Sequence, residues 1–281
     1  MKSLPWRVLL LHAGLVIACL IALYPVLWVL RLAFSEDGTL SLTLSLIPDK
    51  PSWRHFSAIL GEVDAQGRWI FGRQLLASCL VSTATTMVGL ALSVTSAYAL
   101  SRFSFPGRQG FMGLLLITQM LPGTLMLIPL YSILEKLGLL DSLSGLALVY
   151  ATTSLPFCVW MLKGYFDTIP KDLEEAAAID GANDWQIFWR VILPLARPAL
   201  AVTALFSFLT AWNEFILAAT LLNDASRFTL PVALQRHVGE YTTEWGLFAA
   251  GAIVVSIPVM ALFFYLQKHL VGGLTAGSIK G

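Results

Sequence analysis

Six long apolar stretches, at residues 8–30, 74–100, 110–132, 143–162, 198–222 and 246–266, divide the chain. Each is apolar without interruption, whereas a membrane β-strand alternates over about ten residues, so the pattern predicts helices that cross a bilayer. The first stretch has 23 residues and at about 1.5 Å per residue would span about 35 Å, enough to cross a hydrocarbon core with some tilt. Lys2 and Arg7 precede it in the manner of a signal peptide. Its length exceeds that of a cleavable apolar core, so it is expected to be retained as the first membrane helix.

Prolines fall inside several stretches, at Pro25, Pro122, Pro129, Pro156 and Pro258. Membrane helices tolerate such residues, with kinks. Pro122 and Pro129, with Gly123 between them, are candidates either for a simple packing irregularity or for a bend in a helix that lines a movable pathway. The second stretch carries Ser78, Ser82, Thr83, Thr85, Thr86, Gly89, Ser93, Thr95 and Ser96. Small and hydroxylated residues let helices approach closely in lipid, so this stretch is expected in a bundle interior.

Composition agrees with the pattern: 57% of the 281 residues are hydrophobic and only 12% charged, and mean hydropathy is +0.75. A water-soluble domain averages about 25% charged residues, so a soluble enzyme with a single anchor is excluded. A net charge of +1 offers no basic surface for a phosphate backbone, and nucleic acid is not an expected partner. Cys19, Cys79 and Cys158 lie far apart in apolar runs, and His12, His55, His237 and His269 are equally dispersed. Neither set has metal-ligand or disulfide spacing, so no metal, cofactor or cross-link is expected.

An even number of spans places both termini on one side. With cytoplasmic termini that side carries ten of the eighteen Lys and Arg residues. The charges of the first helix end and of the loop 101–109 favour this orientation. The expected organisation is a single membrane domain with external loops at 35–73 and 223–245, a cytoplasmic loop at 163–197 and a cytoplasmic tail at 267–281.

The loop 163–197 reads as two short helices joined by a tight turn. Thr168 is a candidate cap for the first helix and Pro170 suits its opening turn. Asp172, Glu174 and Glu175 complement the positive end of its dipole. Gly181 ends it, because glycine enters a left-handed turn without strain. Asp184 is the candidate cap of the second helix, which runs towards Pro194. Ala176, Ala177 and Ala178 give the first helix a smooth flank bordered by the charges of Glu175 and Asp180. A rigid knob of this kind, projecting from a membrane bundle, would serve as a lever for a partner.

Glu175-Ala176-Ala177, then Gly181, Val191 and Leu193-Pro194, resembles the EAA loop of binding-protein-dependent ABC importer permeases, with valine where isoleucine is frequent. Residues 97–103 and 105–107 (Ala-Tyr-Ala-Leu-Ser-Arg-Phe and Phe-Pro-Gly), with the ending from Gly273 to Gly281, are similar to the carbohydrate-importing, six-helix branch of that family. The resemblance spans nearly the whole chain. It implies an all-α, type I permease of the inner membrane, acting with a second permease subunit, a cytoplasmic ATPase dimer and an extracytoplasmic sugar-binding protein. The implied cargo is maltose, maltodextrin or a related oligosaccharide.

The same resemblance implies that Glu174, Glu175, Ala176, Ala177, Asp180 and Gly181 couple to the ATPase and that the tail residues Gly277, Ser278, Ile279, Lys280 and Gly281 contact it. The segment His237, Val238, Gly239, Glu240, Tyr241 and Thr242 would enter the docked binding protein; its other reading is a solvated loop. The chain has no GxxxxGK[ST] phosphate loop, so it is expected not to be an enzyme itself.

Trp212, Asn213 and Glu214 place an aromatic face, an amide and a carboxylate within the fifth apolar stretch, the group types that hold sugars. Interhelical bonding is the alternative role. Gln119 in the third stretch is a second candidate for the substrate pathway. A competing reading of the whole chain is an ion-coupled secondary transporter with Glu214 as its proton or cation site, although it leaves the 163–197 loop unexplained. A scaffold that binds an ATPase without moving cargo is the third.

Overall fold

The computed structural model describes residues 5–40, 45–239 and 243–276. Their regular secondary structure is helical, with three isolated β-bridges at Ser35–Pro51, Val63–Trp69 and Val238–Thr243. The first helices are α1 (Pro5–Phe34), α2 (Arg54–Leu60), α3 (Ile70–Arg102), α4 (Arg108–Met120), α5 (Leu127–Lys136) and α6 (Leu143–Phe166). They are followed by α7 (Asp172–Ile179), α8 (Asp184–Ile187), a π-helical turn at Phe188–Ile192, α9 (Leu193–Leu195) and α10 (Arg197–Asn213). The series ends with α11 (Ile216–Leu221), α12 (Leu230–Gln235) and α13 (Trp245–Ala276).

Among the described residues, four helices are long and apolar enough to cross a membrane: Trp6–Phe34, Ile70–Arg102, Leu143–Phe166 and Trp245–Lys268. Two bent pairs, Arg108–Met120 with Gly123–Lys136 and Asp184–Leu195 with Arg197–Asn213, bring the number to six if each is one span. The expected all-α, six-span architecture is therefore present, but the third and fifth stretches are not straight rods. The third turns by 100° between Met120 and Gly123. Proline has no N–H to continue the ladder and pushes the residue before it out of the helical region; Leu121 duly adopts an extended ψ of 131°. Helices α1, α6 and α13 run through Pro25, Pro156 and Pro258. The fifth stretch breaks at Glu214 with no proline or glycine at the break.

The chain divides into two units, one of Met1–Gly72 and Ala233–Ile257, the other of Arg73–Val232 and Pro258–Gly281. In the first unit, Phe34 at the end of α1 packs on Trp53 and Phe56 with ring centroids 4.8 Å away in each case.

The second unit is built on α6, against which α4 and α10 lie. One cluster joins Val94, Ala97 and Leu100 of α3 to Leu162, Phe166, Ile187 and Ile192. A second joins Val81 to Leu146, Tyr150, Ala211 and Leu221. Along α3 the buried residues Gln74, Ser78, Ser82, Thr85, Gly89 and Ser93 recur at helical spacing, so the small residues do face the interior. Thr83 and Thr95 are exceptions: both are exposed, on the opposite side of the same helix. The close approach centres on Gly89, where a Cβ atom would meet the Oγ atoms of Ser154 on α6 and Ser207 on α10, each at 3.5 Å.

Candidate functional site

Residues 163–197 form two short helical pieces around a tight turn. Helix α7 is closed by Gly181 in the left-handed region at φ +87°, with Gly181 N–H donating to Ala178 O at 3.0 Å and Ala182 N–H to Ala177 O at 3.0 Å. The helix-capping expectations need two corrections. Thr168 does not cap α7, because its hydroxyl donates back to Tyr165 O at 2.7 Å and Lys171, without a side-chain bond, holds the cap position. Asn183 rather than Asp184 caps α8, in a reciprocal box: Gln186 N–H donates to Asn183 Oδ1 at 2.9 Å and Asn183 N–H to Gln186 Oε1 at 3.1 Å. Asp184 instead occupies the first helical position, where its charge still suits the dipole.

The six residues expected on the knob divide between two faces. Glu175, Ala176 and Asp180 are exposed, beside an Ile179 that is 86% exposed. Ala177 packs against the core. Glu174 points to α3, forming an ion pair with Arg102 in which the side chains are only 16% and 7% exposed. Its other oxygen accepts from Tyr98 Oη at 3.3 Å. Gly181 is exposed with open space around it.

Neighbouring bonds fasten the same corner. Ser101 Oγ donates to Asp167 Oδ1 at 2.7 Å and Lys163 Nζ to Asp167 Oδ2 at 2.5 Å. Partial burial works against the charge of Asp167, but the hydrogen bonds from Lys163 and Ser101 and the positive charges of Lys163 and Arg108 hold its carboxyl below the usual carboxylate range. Tyr165 Oη reaches Leu195 O at 3.2 Å. Beyond α8 the helix widens into a π-turn, in which Leu193 N–H donates to Phe188 O, one residue before Pro194.

A cleft of about 450 Å³ lies beside the break between α4 and α5, lined among others by Thr118, Gln119, Gly123, Thr152, Thr153 and Leu217. Gln119 is thus on a cavity wall, its Nε2 donating to Thr153 O at 3.1 Å. The Trp212-Asn213-Glu214 group is not among the lining residues. Trp212 is 2% exposed and stacks on Phe208 at 5.4 Å, while Asn213 Nδ2 bonds Leu209 O in its own helix at 2.9 Å. The Glu214 carboxylate accepts from Leu217 N–H at 2.8 Å, Ala218 N–H at 3.1 Å and Tyr150 Oη at 2.5 Å. It therefore caps the start of α11 across the helix break.

In the first unit, Glu244 N–H donates to His237 O at 3.0 Å. The His237 ring lies 3.2 Å from Glu244 Oε2 and 3.9 Å from Glu62 Oε2. Val238 and Gly239 are described, whereas Glu240, Tyr241 and Thr242 lie outside the described residues. So do Gly277, Ser278, Ile279, Lys280 and Gly281.

A family model for "Binding-protein-dependent transport system inner membrane component" matches residues 88–275. The chain belongs to this family. Its relatives include the maltose/maltodextrin transport system permease protein MalG of Salmonella typhimurium, 39% identical over 100% of this chain and 98% of the relative. The galactooligosaccharides transport system permease protein GanQ of Bacillus subtilis is 37% identical, covering 98% of this chain and 96% of its own. Among solved structures, a chain from a bacterial ABC transporter that imports the acidic polysaccharide alginate superposes with a TM-score of 0.77 at 26% identity, covering 95% of this chain and 98% of that one.

Membership of the binding-protein-dependent family confirms the resemblance carried by the EAA-like loop and the six-span fold. It favours a permease over the ion-coupled carrier, and no catalytic family is indicated. The features that sequence reasoning missed are the ion pair Arg102–Glu174, the Ser101–Asp167–Lys163 group and Asp141. The Asp141 carboxylate accepts from the N–H groups of Asn223 and Asp224 at 2.9 and 3.1 Å. Only the Lys163–Asp167 pair, four residues apart on one helix turn, left a readable signal.

Proposed function

We propose that the chain is a permease subunit of an ATP-driven sugar importer of the inner membrane, with both termini cytoplasmic and maltose, maltodextrin or a related oligosaccharide as cargo. The observation that carries this reading is α7. An exposed edge formed by Glu175, Ala176, Ile179 and Asp180 ends on a left-handed glycine, while its inner edge is bonded to the bundle through Glu174. Such a helix can accept a push from an ATPase and cannot rotate freely when pushed. The relatives named for maltodextrin, galactooligosaccharide and alginate support a saccharide cargo.

In this reading the loop 163–197 and the tail 267–281 are cytoplasmic, with residues 277–281 reaching the ATPase dimer. The segments 35–73 and 223–245 are external, and His237 to Thr242 enters the sugar-binding protein. A second permease completes the pathway. Gln119 contributes an amide to that pathway beside the Thr152 and Thr153 wall. Trp212, Asn213 and Glu214 end α10, and the Glu214 carboxylate supports the pathway by fixing the break between α10 and α11.

Reconstitution with the partner permease, ATPase and binding protein in proteoliposomes tests the assignment. Uptake of labelled maltose is expected to require ATP on the ATPase side together with the binding protein, and to survive collapse of the proton gradient. Uptake driven by a proton gradient without ATP would overturn it in favour of the ion-coupled carrier.

A further inference from the structure

Helix α3 carries bonded partners at both of its ends, and they belong to segments with different proposed tasks. At the C-terminal end, Arg102 spreads its donors over three groups. Nε meets Glu174 on α7, Nη2 donates to Ile169 O at 3.0 Å and Nη1 to Ser101 Oγ at 3.2 Å. Tyr98, one turn earlier, holds the second oxygen of Glu174, and its ring lies 4.9 Å from Phe188 and 6.2 Å from Phe166. The last turn of α3 thus touches the end of α6, the knob helix and the helix that follows it.

Near the N-terminal end, Gln74 Nε2 donates to Ala225 O at 3.1 Å. Ser78 Oγ, buried, accepts from Leu230 N–H at 2.7 Å. Both partners lie in the segment 225–230, close in sequence to the 237–242 loop. The residues from Gln74 to Arg102 are continuous helix, and at about 1.5 Å per residue this length extends about 42 Å.

We infer that α3 is a transmission rod: Arg102 and Glu174 seat the knob on one end, Gln74 and Ser78 hold the 225–230 segment on the other, and a displacement of either is carried to the opposite side of the membrane. Chain connectivity and the packing of Ala177 hold α7 to its sequence neighbours, about which it could still pivot. The third support, from a helix 72 residues away in sequence, removes that freedom. Its use of arginine is specific, since a lysine ammonium has no fork to serve a carboxylate and two further acceptors together. Arg102, Glu174, Gln74 and Ser78 are accordingly positioning residues that touch neither cargo nor nucleotide.

The inference rests on reading α7 as the ATPase-docking element, and its test separates the two. In the complete transporter, Arg102→Ala, Arg102→Lys and, at the far end, Ser78→Ala are compared with the wild type for co-purified ATPase, for maltose moved per ATP hydrolysed and for stimulation of ATP hydrolysis by maltose-loaded binding protein. All three variants are expected to retain the ATPase, while stimulation and the maltose-to-ATP ratio fall about fivefold or more, the scale of a coupling between distant sites. The exchange Arg102→Glu with Glu174→Arg is expected to regain part of the loss. Wild-type stimulation and ratio in both Arg102→Lys and Ser78→Ala would overturn the rod alone, and these mild variants decide the matter should Arg102→Ala fail to reach the membrane. A wild-type chain that shows no ATP-dependent uptake would overturn the underlying assignment instead.

Discussion

Sugar uptake is expected to fall about tenfold or more when Gly181 is replaced by valine, with the protein still inserted in the membrane at its normal level. Gly181 sits at φ +87°, a region that a β-branched residue enters only with strain. That strain is about 1–3 kcal/mol, and about 1.4 kcal/mol is already a tenfold change in an equilibrium. The space around Gly181 is open, so the penalty comes from the backbone and not from a clash. The knob would re-form its end in another conformation and misplace Ile179 and Asp180. Asparagine enters the left-handed region far more readily, so Gly181→Asn is expected to transport close to normally. Equal loss in both variants would show that side-chain size at the partner surface, and not the turn, sets the effect.

The second large effect is expected at Gly89. A Cβ there would stand 3.5 Å from the hydroxyls of Ser154 and Ser207, an ordinary contact, so Gly89→Ala should be tolerated. Gly89→Leu adds three more carbons where α6 and α10 pass α3, and the helices must separate. Overpacking of this kind costs about 1–3 kcal/mol, and 1–2 kcal/mol shifts the folded-to-unfolded ratio about 5- to 30-fold. Thermal unfolding of the detergent-solubilised protein, followed by loss of monodisperse material, is expected at a clearly lower temperature for Gly89→Leu. Unchanged stability would mean that these three helices do not meet as described.

The span pattern was legible because hydropathy is a property of single residues summed over a window, and the stretches read as apolar are helical in the structure apart from the breaks at Leu121–Pro122 and Glu214–Phe215. Helix ends extend past the apolar windows, as where α3 runs from Ile70 to Arg102, because the polar first and last turns still satisfy their backbone. The break at Pro122 left a covalent sign. The break at Glu214 did not: both sides of it are apolar, and it depends on a carboxylate that caps α11 and meets Tyr150, 64 residues away.

At the knob, the closing glycine and the acidic first turn were readable locally. The choice between Asn183 and Asp184 as cap was decided by Gln186, three residues after Asn183, which completes the reciprocal pair. Long-range placement was the hidden part. Glu174 and Glu175 are adjacent acids with the same local signature, yet one is bonded to Arg102 and the other faces outward. Nothing within ten residues of either distinguishes them. Likewise, Gln119 and Glu214 looked alike as polar groups in apolar runs. The fold puts the first on a cleft wall and uses the second to hold a helix end.

Helix α7 is expected to meet a nucleotide-driven partner in the cytosol, and a cysteine in place of Ile179, which is 86% exposed, reports on that contact. With Cys19, Cys79 and Cys158 replaced, Ile179→Cys is treated in intact cells with a membrane-impermeant thiol reagent and, in isolated membranes, with a short bifunctional cross-linker. No labelling from outside and a cross-linked product containing the ATPase subunit are expected. Labelling from outside, with no ATPase adduct, would contradict this placement of α7.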